Sequence, residues 1–177
     1  MRLLAVIGFL AILIAIGAAI FFFGGFYNVA ATAEEPAIVK WALVRVRTAA
    51  INKYATERPP GSLEDRALVQ AGARVFAERG CINCHGAPGV EWAKFSEGLR
   101  PDPPDLKEIV NDREPQQLFW VIKNGINMTG MPSFGMIGTE DKDIWSIVAF
   151  LKKLPSVSEA DFKAWAGPAL GGNRPAQ

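Results

Sequence analysis

The stretch Cys81-Ile82-Asn83-Cys84-His85 decides how the chain is read. It holds both cysteines and the single histidine of the 177-residue sequence. Two cysteines, three positions apart, cannot build a disulfide framework. A structural zinc site draws four ligands, usually from Cys and His, and the chain has three such residues. A thioredoxin-like dithiol belongs in a βαβ setting, and no strand–helix alternation is visible around it. Covalent haem attachment fits. Two thiols at this spacing can each add to one vinyl group of a porphyrin, and the adjacent imidazole then reaches the iron. C-x-x-C-H is the signature of that arrangement. Cys81 and Cys84 are therefore expected to carry one haem c as thioethers, with His85 as an axial iron ligand.

The second axial ligand follows from scarcity. With no other histidine, ligation by two histidines of this chain is excluded. Methionine is the common alternative and raises the reduction potential. Met1 belongs to the apolar N-terminus, which leaves Met128, Met131 and Met136. All three lie in a glycine-rich stretch from Lys123 to Met136, between two helical patterns. Met131 is the first choice: Gly130 allows close backbone approach and Pro132 fixes the chain direction after it. Met128 is the runner-up and Met136 comes third. The alternative for any of them is filling a gap in the core.

Leu3 to Tyr27 carry no charged side chain. At ~1.5 Å per residue the run is long enough to cross a bilayer as a helix. A span with an apolar surface on every face is not a soluble-core helix, and Phe26 and Tyr27 suit the far interface. Ala31-Thr32-Ala33 has the form of a signal cleavage site, but a signal core is usually shorter. An uncleaved anchor over residues 1–28 is expected.

Pro36 to Tyr54 reads as a helix, with Pro36 at its start and Glu34 and Glu35 near its positive end. Val39, Leu43, Val46 and Ala50 are expected to share one apolar face. This juxtamembrane helix either docks on a membrane surface or partner, or is a spacer resting on its own domain. Arg58-Pro59-Pro60-Gly61 closes the linker, residues 29–61. Ser62 is expected to cap a helix from Leu63 to about Arg79, with Gly80 at its end. Its stripe reads Leu68, Ala71, Gly72, Val75 and Phe76. The glycine weakens a helix unless another helix crosses closely there. Short helices are expected at Asp105–Asp112 and Pro115–Asn124, with Leu118, Phe119, Val121 and Ile122 facing the cofactor. A further helix, Ser158–Ala166, would pack back through Ala160, Phe162, Trp165 and Ala166. Residues 156–177 form a C-terminal extension, with a disordered tail from Gly171 to Gln177. The net charge of +1 gives no basic surplus for nucleic acid.

From Ser62 to Pro155 the chain resembles the class I cytochrome c family. The resemblance is carried by Gly72 and Phe76, the Cys81–His85 motif, Pro103-Pro104-Asp105-Leu106, Gly125 through Pro132, and the helix Asp141–Pro155. It implies an all-α fold: a cytochrome c domain over 62–155, here preceded by a transmembrane helix and a juxtamembrane helix. It implies that the first and last helices of the domain cross, with Gly72 and Phe76 near Trp145 or its neighbours. It also implies that a proline, Pro103 or Pro104, packs on the proximal imidazole and that a backbone carbonyl accepts its Nδ1–H. Arg100 and Trp92 are candidate propionate partners. Haem attachment in this family takes place outside the cytoplasmic membrane. That outweighs Lys40, Arg45, Arg47 and Lys53, whose position after the span would place it the other way.

The expected function is a membrane-tethered monohaem electron carrier, not an enzyme. It would sit in a bacterial cytoplasmic membrane as a single pass, with its N-terminus cytoplasmic and its haem domain periplasmic. Its partners would be lipid and redox proteins of a respiratory chain: a dehydrogenase, a quinol-oxidising complex or a terminal oxidase. Both a free carrier and a permanent complex subunit fit, and the amphipathic linker favours the subunit. The rival classes are a haem enzyme or gas sensor with a labile sixth ligand, and a structural haem subunit.

Overall fold

A glycine sets a close crossing of two helices. In the computed structural model, which describes residues 2–167 and 169–172, helix α3 (Arg66–Glu78) crosses the long C-terminal helix of the domain at Gly72. A Cβ built on Gly72 would lie 1.9 Å from the carbonyl oxygen of Ser146 and 2.9 Å from Cβ of Phe150. Only a residue without a side chain permits that approach.

The chain divides into two compact units, one ending at Pro36 and one beginning at Ala37. The first is helix α1 (Arg2–Phe23), whose side chains are all exposed. Among the described residues it is the one helix long and apolar enough to cross a membrane. At ~1.5 Å per residue its 22 residues reach about 33 Å, the thickness of a hydrocarbon core. Tyr27 folds back on Phe21 and Phe22, with ring centroids 6.1 and 6.0 Å away.

The second unit is helical: α2 (Ala37–Tyr54), α3, the one-turn α4 (Ile82–His85), α5 (Leu106–Ile109), α6 (Pro115–Asn124), α7 (Asp141–Lys153), α8 (Glu159–Ala166) and α9 (Ala169–Gly172). Its extended pairing among the described residues is a single bridge, Ala87 with Val90. The all-α expectation holds. The tail expected from Gly171 begins inside α9, and its residues 173–177 lie outside the described residues.

Three aromatic contacts knit the core. Phe150 of α7 lies between Phe76 of α3 and Phe162 of α8, at 5.4 and 5.7 Å. Trp145 turns the other way and stacks on Phe119 of α6 at 4.1 Å. Gly72 therefore meets Ser146, Trp145's neighbour, and Phe76 meets Phe150 one turn further on. Beyond Lys153, α7 passes into a 3₁₀ turn, and Lys152 donates to the carbonyls of Val110 (2.8 Å) and Arg113 (3.2 Å). That ammonium closes the turn after α5. Gln117 has two roles. Its Oε1 accepts the Glu114 N–H at the start of α6 (3.0 Å), and its Nε2 donates to Asn52 of α2 (2.8 Å).

Three expectations need correction. Asp65, not Ser62, caps α3: Asp65 Oδ1 accepts from the N–H groups of Ala67 (2.7 Å) and Leu68 (3.2 Å). Ser62 instead turns the chain ahead of it by accepting from Glu64 N–H. The buried stripe of α3 is Val69, Gly72, Ala73, Phe76 and Ala77, rotated from the expected one. A close crossing favours alanine at its centre, whereas size alone favours Leu68 and Val75. On α2, Leu43 and Val46 are exposed and Ile51 is the buried residue. The end of α2 rests on α6, where Ile51 is buried and Asn52 bonds Gln117 beside it.

The crossing makes a prediction of sign. In an isolated helix Gly72→Ala would add roughly 1 kcal/mol of stability. Here the methyl overlaps the α7 backbone, so denaturant unfolding should show a loss of about 2–3 kcal/mol.

Candidate haem-binding site

The motif begins where α3 ends. Gly80, with φ +75, reverses the chain, and Cys81 N–H donates to Phe76 O at 3.1 Å. The backbone of a core residue thus holds the first cysteine. The next residues form one helical turn, with Cys84 and His85 N–H both donating to Cys81 O (3.2 and 3.0 Å). That turn places Cys81 and Cys84 one above the other on one side, and Gly86, with φ +63, ends it. Ala93 N–H donates to Asn83 O at 2.8 Å, tying the turn to the following loop.

The two thiols are not joined. Burial pushes the Cys81 thiol up to about 12, with Cys84 adding to the effect and its backbone hydrogen bond and Arg79 opposing it. Burial also raises Cys84. Both stay protonated at neutral pH. A redox-active cysteine pair is favoured by the opposite, since a lowered pKa gives the reactive thiolate.

His85 is oriented from outside the motif. Its Nδ1 lies 3.1 Å from the carbonyl oxygen of Pro104. A carbonyl can only accept, so Nδ1 carries the proton and Nε2 keeps its lone pair. Burial holds the imidazole below its ordinary pKa, the Pro104 bond opposing it, and this keeps the ring neutral. Of the two expected prolines, Pro104 supplies the carbonyl. Asp105 then caps α5 by accepting from Lys107 N–H (2.8 Å), which anchors the segment carrying that carbonyl.

The strap after α6 is braced along its length. Gly125, with φ +68, turns the chain where a Cβ would lie 2.7 Å from Pro132 C and Ser133 N, and 2.8 Å from Met131 O. Ile126 N–H donates to Met131 O (3.1 Å), and Thr129 Oγ1 accepts from Met131 N–H (3.1 Å). The Thr129 hydroxyl in turn donates to Ile126 O (2.8 Å). Both backbone polar groups of Met131 are held. Its side chain is half-buried against the core, whereas Met128 is 91% and Met136 89% exposed. Ser133 Oγ donates to Lys123 O (2.7 Å), and Phe134, itself buried, donates from N–H to Ile122 O (3.1 Å). Lys123 pairs with Asp141 at 2.8 Å and joins the strap's root to α7.

Leu118, Phe119 and Ile122 are buried, and Val121 is half-buried. Arg100 is committed to its own loop: it donates to Glu97 O and Leu99 O and pairs with Asp102. Trp92 is 55% exposed. Sequence reasoning missed Thr129 and Leu99. Leu99 lies against Gly130, where a Cβ would be 2.9 Å from its side chain. A hydroxyl residue two positions before a candidate ligand was the available signal for Thr129, whereas nothing local points to Leu99.

The residues suit a haem. They offer a neutral imidazole with one free nitrogen, two unjoined protonated thiols on one turn, and one sheltered thioether on a fixed strap. Among the described residues no group of three or more His, Cys, Asp or Glu side chains is arranged to hold a bare metal ion.

The strap's turn can be tested against a matched glycine. Gly125→Ala combines positive-φ strain with backbone collision and should cost about 2–4 kcal/mol. Gly138, φ +84, has open space at its Cβ position. Gly138→Ala should therefore cost only about 1–2 kcal/mol. Paired thermal or denaturant unfolding curves compare the two.

Residues 67–151 match the family described as cytochrome C oxidase, cbb3-type, subunit III. No curated protein and no solved structure matches the chain. The family match, the helical architecture and the Cys81–His85 turn agree: residues 67–151 form a class I c-type cytochrome domain, a haem-based electron-transfer module.

Proposed function

We propose that this protein is a membrane-tethered electron carrier with one haem c, held by thioethers from Cys81 and Cys84 and ligated by His85 and Met131. The observation that carries the reading is the fixed imidazole: Pro104 O engages Nδ1 and leaves Nε2 for iron. When bound, the haem supplies a one-electron ferric–ferrous couple.

The chain's residues do the rest. Cys81 and Cys84 would hold the haem as thioethers, each thiol supplying the sulfur and the hydrogen that saturate one vinyl group, with no net oxidation. His85 donates electron density through Nε2, and Pro104 strengthens that donation by accepting at Nδ1. Met131 raises the potential through its thioether. Ile126 and Thr129 hold its backbone, so little rearrangement accompanies a change of charge. Met128, Met136 and Ile137 give the strap an exposed, soft apolar skin, suited to brief contact with a redox partner.

Helix α1 supports a single-pass anchor, and a bacterial periplasmic position for the haem domain follows from where such haems are attached. An anchor raises the local concentration at membrane partners. The matched family is named for an oxidase subunit, which favours a membrane complex or terminal oxidase among the partners. An electron-transfer role inside such a complex needs no catalytic residue in this chain.

The ligand set is tested with the haem-loaded protein. Met131→Ala should abolish the near-infrared band of sulfur bound to ferric iron, lower the potential, and give rapid carbon monoxide binding to the reduced form. Met128→Ala should change none of these. If the native protein lacks the band and binds carbon monoxide rapidly, it has the open iron of an enzyme or sensor instead.

A further inference from the structure

Helix α2 keeps an apolar and basic surface that its own domain does not cover. Its inner side ends at Ile51, 6% exposed, and at the Asn52–Gln117 bond. Ile38, Ala42, Arg45, Val46, Ala49 and Lys53 project from the opposite side at helical spacing. Ile38 is 69% and Val46 67% exposed, and Trp41 on the flank is 58% exposed. Residues 37–54 hold four cations, Lys40, Arg45, Arg47 and Lys53, and no carboxylate. None of the four makes an ion pair among the described residues. Arg45 lies over the Trp41 ring at 5.8 Å and Lys53 over Tyr54 at 5.3 Å.

We propose that the outer face of α2 lies on an anionic lipid surface, with Ile38, Trp41 and Val46 entering the interface and Arg45 and Lys53 meeting lipid phosphates. The inference rests on the reading of α1 as a membrane anchor and extends it to a second contact. Charge decides for lipid over a protein partner. A protein interface would need each buried cation paired, and among the described residues these cations bring no carboxylate of their own, whereas an anionic bilayer supplies negative charge along the whole face. Tryptophan and tyrosine beside cations are the side chains that settle at headgroup depth. Connectivity allows it: residues 24–36, between α1 and α2, extend at most about 45 Å. The glutamates nearest in sequence, Glu34 and Glu35, precede the helix.

With both native cysteines bound to haem, an added cysteine is the one free thiol. A benzophenone is attached at Val46→Cys, or at Ile12→Cys in α1, of the full haem-loaded chain. The protein is reconstituted in phosphatidylcholine vesicles with or without phosphatidylglycerol, irradiated, and weighed by mass spectrometry. The proposal expects lipid adducts at both positions in anionic vesicles. At Val46→Cys the adduct should fall by roughly fivefold or more in neutral vesicles, and equally on adding Arg45→Gln and Lys53→Gln. A lipid adduct at Ile12→Cys with none at Val46→Cys, or with a protein adduct there, overturns the inference and leaves the anchor standing. Yield at Val46→Cys that ignores lipid charge overturns the electrostatic contact. No lipid adduct at either position overturns the anchor and the inference together.

Discussion

The contact between Gly72 and the backbone of Ser146 is the constraint on which the domain depends. It brings α3 and α7 to a separation that no side chain at position 72 would permit. That closeness explains why the buried positions of α3 are a valine, two alanines and a glycine around Phe76. It also leaves Phe150 between two rings and turns Trp145 toward α6. Packing of this density transmits position, because a rigid interior does not absorb displacement.

Both halves of the proposed haem site hang from that crossing. On one side, Phe76 places its ring in the core and its carbonyl on Cys81 N–H, so the attachment turn starts from a fixed point. On the other, the Trp145–Phe119 stack sets α6, and α6 ends at the Gly125 turn that starts the methionine strap. Lys123 and Asp141 tie the same corner at the surface, an exposed pair worth at most about 1 kcal/mol. The burden therefore falls on the aromatic stack and the backbone bonds of the strap. Pro104 is positioned separately, by the Asp105 cap and the Lys152 bonds beyond α5.

Legibility of the sequence followed the range of the interactions. The Cys81–His85 turn, the Gly80 reversal and the bounds of α6 are local, and they could be read directly. Gly72 was legible as a glycine misplaced in a helix, hence as a crossing point. The choice of Asp65 over Ser62 was harder, since both are good caps and the competition is settled by which carboxyl or hydroxyl meets the free N–H groups. The inward side of α2 was not legible: Val39, Leu43, Val46 and Ala50 form a plausible stripe, but the contact with α6 that buries Ile51 is distant in sequence. Preference for Met131 came from Gly130 and Pro132. Its hold by Thr129 is local and had a signal in the sequence, whereas its shelter against the core is tertiary and leaves no pattern there.

The whole account turns on one covalent haem at Cys81 and Cys84. The direct measurement is the intact mass of the purified protein together with the spectrum of its reduced pyridine complex. The account predicts a mass raised by one haem that survives denaturation, and a pyridine spectrum in which both vinyl groups are saturated. An unmodified mass after denaturation, or a spectrum of haem with both vinyl groups intact, would contradict it.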